Sequence, residues 1–366
     1  MKNNNLVKII GLSAILMIVA FANTYAQISA SPTASNLSQY SQPVSLTKQV
    51  RLLLEHDDFA GLEALATEAR TSKARFADGE WKLFTYYQAV TWPLAGKSAT
   101  DLDWEPHLAH LMRWYKAAPL SITAHVAYGG ALIEYAWKAR VQGQEWNAMG
   151  TEAGGKIFQS RLKAGLTVLA DTKKVKERCP HLYQVMLSLG QVQGWSWAEF
   201  NLPYAQGISL EPDYHYYYQI KAFNMLPQNH GGQGEWENYA DEVYQRLGPK
   251  EGALAYFMII AYLRPSFSQN FFTQNRINWL RLKEGYQVLL TSYQGNNLRH
   301  NEMAYFASLA RDQVVAKAAF DRIGVKRDAS VWPYQAWFDQ KRAWAYDMGN
   351  SASSVALPVT KAQKMQ

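Results

Sequence analysis

From about residue 48 to residue 347 the chain repeats one pattern: apolar residues spaced three and four apart, interrupted by short polar or proline-containing breaks. Alternation with a period of two, the mark of a half-buried strand, is absent throughout. Leu46, Val50, Leu53 and Leu54 form one stripe, and after Asp57-Asp58 the residues Phe59, Leu62, Leu65 and Ala69 form the next. So short a break forces two helices to lie antiparallel. Further helices are expected from Trp81 to Trp92, around Leu108 to Tyr115, from Ser121 to Gly143, and from Gly155 to Asp171. Beyond these, helices are expected over His181–Gly194, Tyr214–Leu226, Glu235–Leu247, Gly252–Leu263, Ile277–Tyr293, Glu302–Ala310, Gln313–Ile323 and Val331–Tyr346. The fold class is therefore all-α.

The clearest repeating unit is MAYFASLARDQVVAKAAFDRIG, in which the first helix ends at Ala310, Asp312 caps the second, and Ala316 and Phe320 share its inner face. Small residues at Ala307 and Ala316 allow close approach, and Phe320 fills the groove beyond them. This is the grammar of a tetratricopeptide-type helix pair. Because the period is irregular elsewhere, the expectation is a degenerate solenoid, a right-handed superhelix of antiparallel helix pairs.

The N-terminus reads differently. Lys2 and Lys8 precede the apolar run Ile9 to Ala22, and Thr24-Tyr25-Ala26 supplies small residues for cleavage, so residues 1–26 are expected to be a signal peptide. The alternative is an uncleaved membrane anchor, although an apolar run of about 14 residues is short for a span of about 20. Residues 27–47, rich in Ser, Pro and Gln, are expected to be a flexible linker, residues 48–347 the helical domain, and residues 348–366 a disordered tail. A single cysteine, Cys179, permits no internal disulfide, which fits a bacterial periplasm better than a disulfide-stapled extracellular module. Removal of Lys2 and Lys8 lowers the formal net charge of +7 by two and leaves interspersed charges, which gives no footprint for nucleic acid.

Several pieces resemble a bacterial family described as domain of unknown function 4034. They are Pro119-Leu-Ser121 followed by Ala136-Trp137 and Ala139-Arg140; Glu211-Pro212-Asp213-Tyr214; Leu226-Pro227 with Gly231-Gly232 and the aromatic helix behind them; and Trp332, Phe338 and Trp344. The resemblance spans roughly residues 50 to 345. It departs at Val141, where glycine is expected, and at Asn229-His230, which replace a tryptophan. It implies a tetratricopeptide-like helical fold and carries no established activity.

Candidate chemistry is sparse. His107 and His110 stand at i, i+3 with Asp101, Asp103 and Glu105 near them, a spacing that lets two imidazoles reach one metal ion; a hydrogen-bonded pair on an amphipathic face is the expected reading. His56 beside Asp57-Asp58 reads as a helix cap, and Cys179-Pro180-His181 as a helix entrance with proline in its first turn. Glu134, Glu145, Glu199, Glu211 and Asp213 are carboxylates without a spacing that pairs them for glycosidase chemistry. The loop LPQNHGGQGEWENYADEV places three glycines before a helix, but Glu235 and Glu237 repel a phosphate and no strand precedes it. It reads as an inter-helix corner with Gly234 as N-cap, leaving His230 as its one candidate binding residue.

The function expected is an exported, non-catalytic helical-repeat protein that binds a protein or peptide partner in the cell envelope, with no cofactor. Its binding candidates are Arg113, Trp114, Trp137, Arg140 and His230. The alternative, drawn from the abundance of aromatic rings, is a peptidoglycan-binding protein or an α/α-type glycosidase.

Overall fold

The computed structural model describes residues 37–141, 152–267 and 271–347. The expected signal peptide and C-terminal tail lie outside them. Within the described residues the fold is all-α, and the one β-type pairing is an isolated bridge between Arg75 and Trp81. Contacts divide the chain into two compact units, residues 1–266 with 276–294, and residues 267–275 with 295–366. The single helical domain expected over 48–347 is thus two units.

The first unit begins with α1 (Leu37–Glu55), which corrects the expected linker. Residues 37–47 are helical despite Pro43, because Thr47, Val50 and Leu54 supply a buried stripe that holds the helix to its neighbours. Next come α2 (Phe59–Ser72), α3 (Lys82–Thr91), α4 (Asp101–Ala117), α5 (Ile122–Val141) and α6 (Glu152–Ala170). Of the Asp57-Asp58 pair only Asp58 caps α2, accepting the Gly61 N–H at 2.9 Å, while Asp57 turns the corner at φ 52°. Then α7 (Pro180–Gln193) follows, with Pro180 in its first turn and Gly194 closing it in the left-handed conformation.

The helix α8 (Trp197–Leu210) was not anticipated by the sequence pattern. Pro203 and Gly207 look like breakers, yet a reciprocal capping box between Ser196 and Glu199 starts the helix. Both breakers are buried, and Gly207 leaves room for the Tyr217 ring. The unit continues through α9 (Tyr216–Asn224), α10 (Glu235–Leu263) and, after residue 276, α12 (Trp279–Tyr293). Non-helical dihedrals at Gly248 kink α10 where the sequence pattern separates two helices. The principal packings are α5 on α6, α10 on α12, α9 on α10, and α1 on α3.

Arg75 ties distant parts of this unit together. Its guanidinium donates to Glu251 at 2.9 Å, to the Tyr293 hydroxyl at 3.1 Å and to the Asp213 carbonyl at 3.2 Å, and it lies over the Trp81 ring at 4.9 Å. One buried cation thereby fixes the hairpin before α3 to α10, α12 and the turn between α8 and α9.

The second unit holds α11 (Phe271–Gln274), α13 (Asn297–Ala310), α14 (Gln313–Ile323) and α15 (Gln335–Tyr346). The α13–α14 pair follows the sequence expectation closely. Ala310 ends the first helix, Asp312 caps the second by accepting the Val315 N–H at 3.1 Å, and Ala316 and Phe320 are buried. Trp332 is enclosed by Tyr305, Phe320, Trp337 and Phe338, with ring centroids 5.3 to 5.8 Å away. The polar start of α13 is also buried: Arg299 pairs with Glu302 at 2.8 Å, and Asn301 bonds the Lys326 carbonyl and the Asp328 N–H. Such a pair is retained only when its partners are held in place, since removing one leaves a buried charge.

The close approach of α12 to α10 gives a direct test. A Cβ at Gly285 would lie 2.2 Å from the Ala253 carbonyl oxygen, whereas one at Gly155 meets nothing within 4 Å. Gly285→Ala is expected to destabilise the protein by about 1–3 kcal/mol, and Gly155→Ala to stabilise it by about 0.5–1 kcal/mol, as read from urea unfolding of the two variants.

Candidate functional site

His107 and His110 do not converge on one point. His107 places Nε2 3.1 Å from the Thr91 carbonyl oxygen, and burial lowers its pKa to about 4. His110 turns instead to Asp57, its Nδ1 2.7 Å from Oδ1. No cluster of three or more metal-ligating side chains occurs among the described residues. Sequence spacing brings the two imidazoles to one helix, but their partners pull them to different neighbours.

Arg113 completes a corner with those groups. Its Nε donates to Asp57 Oδ2 at 2.9 Å and its Nη2 to Oδ1 at 3.0 Å, a bidentate grip. Partial desolvation pushes the Asp57 carboxyl up, but hydrogen bonds from His110 and Arg113 outweigh it and hold the carboxyl below its ordinary value. Asp57 has a positive φ, so the pairing clamps the turn between α1 and α2 onto α4. The exposed guanidinium expected to face a ligand is therefore engaged at this corner.

The tryptophan candidates are corrected by burial. Trp114 is 0% exposed, stacks on Phe59 at 6.1 Å and donates its indole N–H to Glu63 at 3.1 Å. Trp137 is buried against Phe158, with ring centroids 5.6 Å apart. Both lie at positions where a large flat ring fills the groove between paired helices. The side chain of Arg140 and all of Glu145 lie outside the described residues.

Cys179 and His181 stand at the start of α7, both buried, and each has a tyrosine partner. The Cys179 sulfur lies 3.3 Å from the Tyr87 hydroxyl, and His181 Nδ1 lies 2.8 Å from the Tyr214 hydroxyl. His181 also stacks face to face on Tyr87 at 4.3 Å. Burial pushes the thiol up and lowers the His181 imidazole to about 3, the reverse of what an activated thiolate and its base require.

Two of the candidate carboxylates hold structure as well. Glu199 accepts from the Ser196 N–H at 2.8 Å, and Glu211 pairs with Lys73 at 2.7 Å. The Asp213 carbonyl accepts from Arg75. Glu134 lies half-buried on α5.

The glycine loop after α9 is a closed corner. A Cβ at Gly231 would fall 1.9 Å from the Met225 carbonyl oxygen, so only glycine fits the reversal. Gly234 is the N-cap of α10 at φ 81°, and its carbonyl accepts from Arg276 at 3.1 Å. Asn229 donates to the Phe223 carbonyl at 2.6 Å and the His230 N–H to the Asn224 carbonyl at 3.0 Å. His230 is thus half-buried on the corner and held through its backbone.

One constellation escaped the sequence reading because its members come from three helices. Lys221, Arg246, Tyr204, Tyr239 and Asn201 meet where α8, α9 and α10 adjoin. The only signals were a lysine in the aromatic helix YYYQIKAFN and an arginine four residues after Glu242.

Compared with known proteins, the chain matches no family model, no curated protein and no solved structure.

The buried imidazoles make a pH test. Both are neutral in the folded chain and have an ordinary pKa of 6.5 when exposed, so unfolding takes up protons below that value. The stability they contribute is complete above pH 6.5 and falls as pH drops toward about 4 for His107 and about 3 for His181. Each adds a slope of up to about 1.4 kcal/mol per pH unit. Urea unfolding between pH 6 and 5 should show a shallower slope in His181→Phe than in the wild-type chain; equal slopes contradict the burial of a neutral imidazole.

Proposed function

We propose that this chain is an exported, non-catalytic helical protein of the domain of unknown function 4034 type that binds a protein or peptide partner at the cell envelope. The observation that carries this reading is the engagement of the side chains with reactive potential. His107, His181, Cys179, Glu199 and Glu211 each hold a partner within the chain, and that partner fixes a helix end or a buried hydroxyl. What they contribute is the rigidity of a helical framework.

The framework carries apolar side chains at its surface. Leu94 and Leu102 are each 81% exposed, and both lie at the α3–α4 connection; Leu120 and Leu202 are also exposed. Stacked helix pairs offer such residues on a preformed backbone, so a partner is bound without ordering a disordered segment first. No helix among the described residues is long and apolar enough to cross a membrane. Residues 1–26 would export the chain and be removed at Ala26.

The purified chain lacking residues 1–26, used as bait in an envelope extract with peptidoglycan as a parallel bait, tests the reading. Recovery of one protein in stoichiometric amount is expected. Retention on peptidoglycan with no protein recovered would favour the glycan-binding alternative and contradict this proposal.

A further inference from the structure

Where α8, α9 and α10 adjoin, two cations bracket one tyrosine. The Lys221 ammonium lies 4.0 Å from the Tyr204 ring centroid and 5.4 Å from that of Tyr239, and it donates to Asn201 Oδ1 at 3.0 Å. The Arg246 guanidinium donates to the Tyr204 hydroxyl at 3.0 Å, and that hydroxyl is 2.8 Å from the hydroxyl of Tyr239. Both tyrosine rings are buried, so the site offers charged heads and no open ring face. Glu242 takes one Arg246 nitrogen, Nη1, at 3.3 Å.

Lys221 is the unusual member. It is half-buried, and no carboxylate lies within 4.0 Å of its ammonium among the described residues. Burial lowers its pKa, with Glu242 acting against the shift and Arg246 adding to it. Its place in the last turn of α9 suits a positive charge, because the helix C-terminus carries partial negative charge. Cation–π attraction to the two rings and the Asn201 bond offset its lost hydration there, and they leave ammonium N–H groups that no carboxylate among the described residues takes up. A desolvated ammonium beside a guanidinium already braced by a hydroxyl is a preorganised receptor for an anion.

We infer that Lys221 and Arg246 bind an aspartate or glutamate side chain of the protein partner, an inference that rests on the partner-binding reading. Charge favours a carboxylate. Two cations face one resident carboxylate, Glu242, so the local excess matches a single negative charge. A phosphate group would bring about −1.5 to −2 charges against Glu242. The planar guanidinium retains free N–H groups for a carboxylate oxygen, and the ammonium supplies a point charge for the other. Arg246 also lies 5.4 Å from the Tyr218 ring, which limits the directions it can swing.

The test uses the full chain and a fluorescein-labelled hexaglutamate peptide, followed by anisotropy at low ionic strength. Saturable binding is expected. Lys221→Gln and Arg246→Gln should each weaken it by about tenfold or more, the range of a hydrogen bond to a charged group. Glu242→Gln should strengthen binding by about threefold, as removal of a competing carboxylate does. Lys163→Gln, an exposed lysine on α6, should leave it unchanged. Because Glu242 is exposed and its substitution leaves the tyrosines in place, that arm keeps its meaning even if Lys221→Gln loosens the fold.

Absence of saturable binding overturns the inference. Equal weakening by Lys163→Gln and Lys221→Gln does so too, since it would reveal a net-charge effect, as does stronger competition by a phosphoserine hexapeptide or by alginate than by unlabelled hexaglutamate. If the Lys221→Gln chain captures the envelope partner as well as the wild type, this site is overturned and the partner-binding reading stands. If the wild-type chain captures no protein while hexaglutamate binding still depends on Lys221, the partner-binding reading fails and the carboxylate chemistry of the site stands.

Discussion

A buried phenol hydroxyl must find a hydrogen-bond partner, and the first unit of this protein is arranged to provide one for tyrosine after tyrosine. Tyr86 donates to the Leu62 carbonyl at 3.1 Å, Tyr217 to the Pro180 carbonyl at 3.1 Å and Tyr218 to the Pro212 carbonyl at 2.6 Å. Tyr216 reaches Glu80, Tyr87 meets Cys179, and Tyr214 meets His181. Most of these partners come from a different helix or from the turn that enters one. An aromatic ring alone can slide along a groove; a ring with a satisfied hydroxyl has one register. Together these bonds lock α3 to α2 and α7, and α9 to α7 and the turns beside it.

This constraint explains the residues that resemble catalytic groups. The core is unusually rich in aromatic rings with polar tips, and those tips need thiol, imidazole, carboxylate and carbonyl partners. Cys179 and His181 answer that need, and so does Glu80. At the junction of α8, α9 and α10 the buried Tyr204 hydroxyl accepts from Arg246 and meets the hydroxyl of Tyr239, with Lys221 over both rings. The second unit uses a different device, a buried Arg299–Glu302 pair and two asparagines along one face of α13.

Local signals were read well from the sequence. The α13–α14 pair, the start of α7 at Pro180, its end at Gly194 and the Gly234 cap of α10 all follow from residues within a few positions of each other. Failures occur where the decisive contact is distant in sequence. The helix α8 was hidden by Pro203 and Gly207, whose cost is offset by burial against Tyr217. The first turn of α13 was hidden because Asn297, Arg299, His300 and Asn301 look like a solvated loop, although the fold buries them. Trp114 and Trp137 stood as binding candidates beside the packing their core spacing favours, because helical spacing identifies a face without saying what covers it; both are buried. Lys221 and Arg246 carried only a faint signal, since periodicity treats a lysine over two buried rings like one in water.

The central claim, that the reactive-looking side chains serve the buried hydroxyls, is tested most directly by a double-mutant cycle on His181 and Tyr214. Urea unfolding at pH 7.5 would compare His181→Phe, Tyr214→Phe and the double variant with the wild-type chain. The phenylalanine at 181 keeps the stack on Tyr87, so the cycle isolates the 2.8 Å bond. The account predicts a coupling of about 1 kcal/mol or more, with the double variant less destabilised than the sum of the two single ones. Effects that add to within about 0.3–0.5 kcal/mol would contradict it.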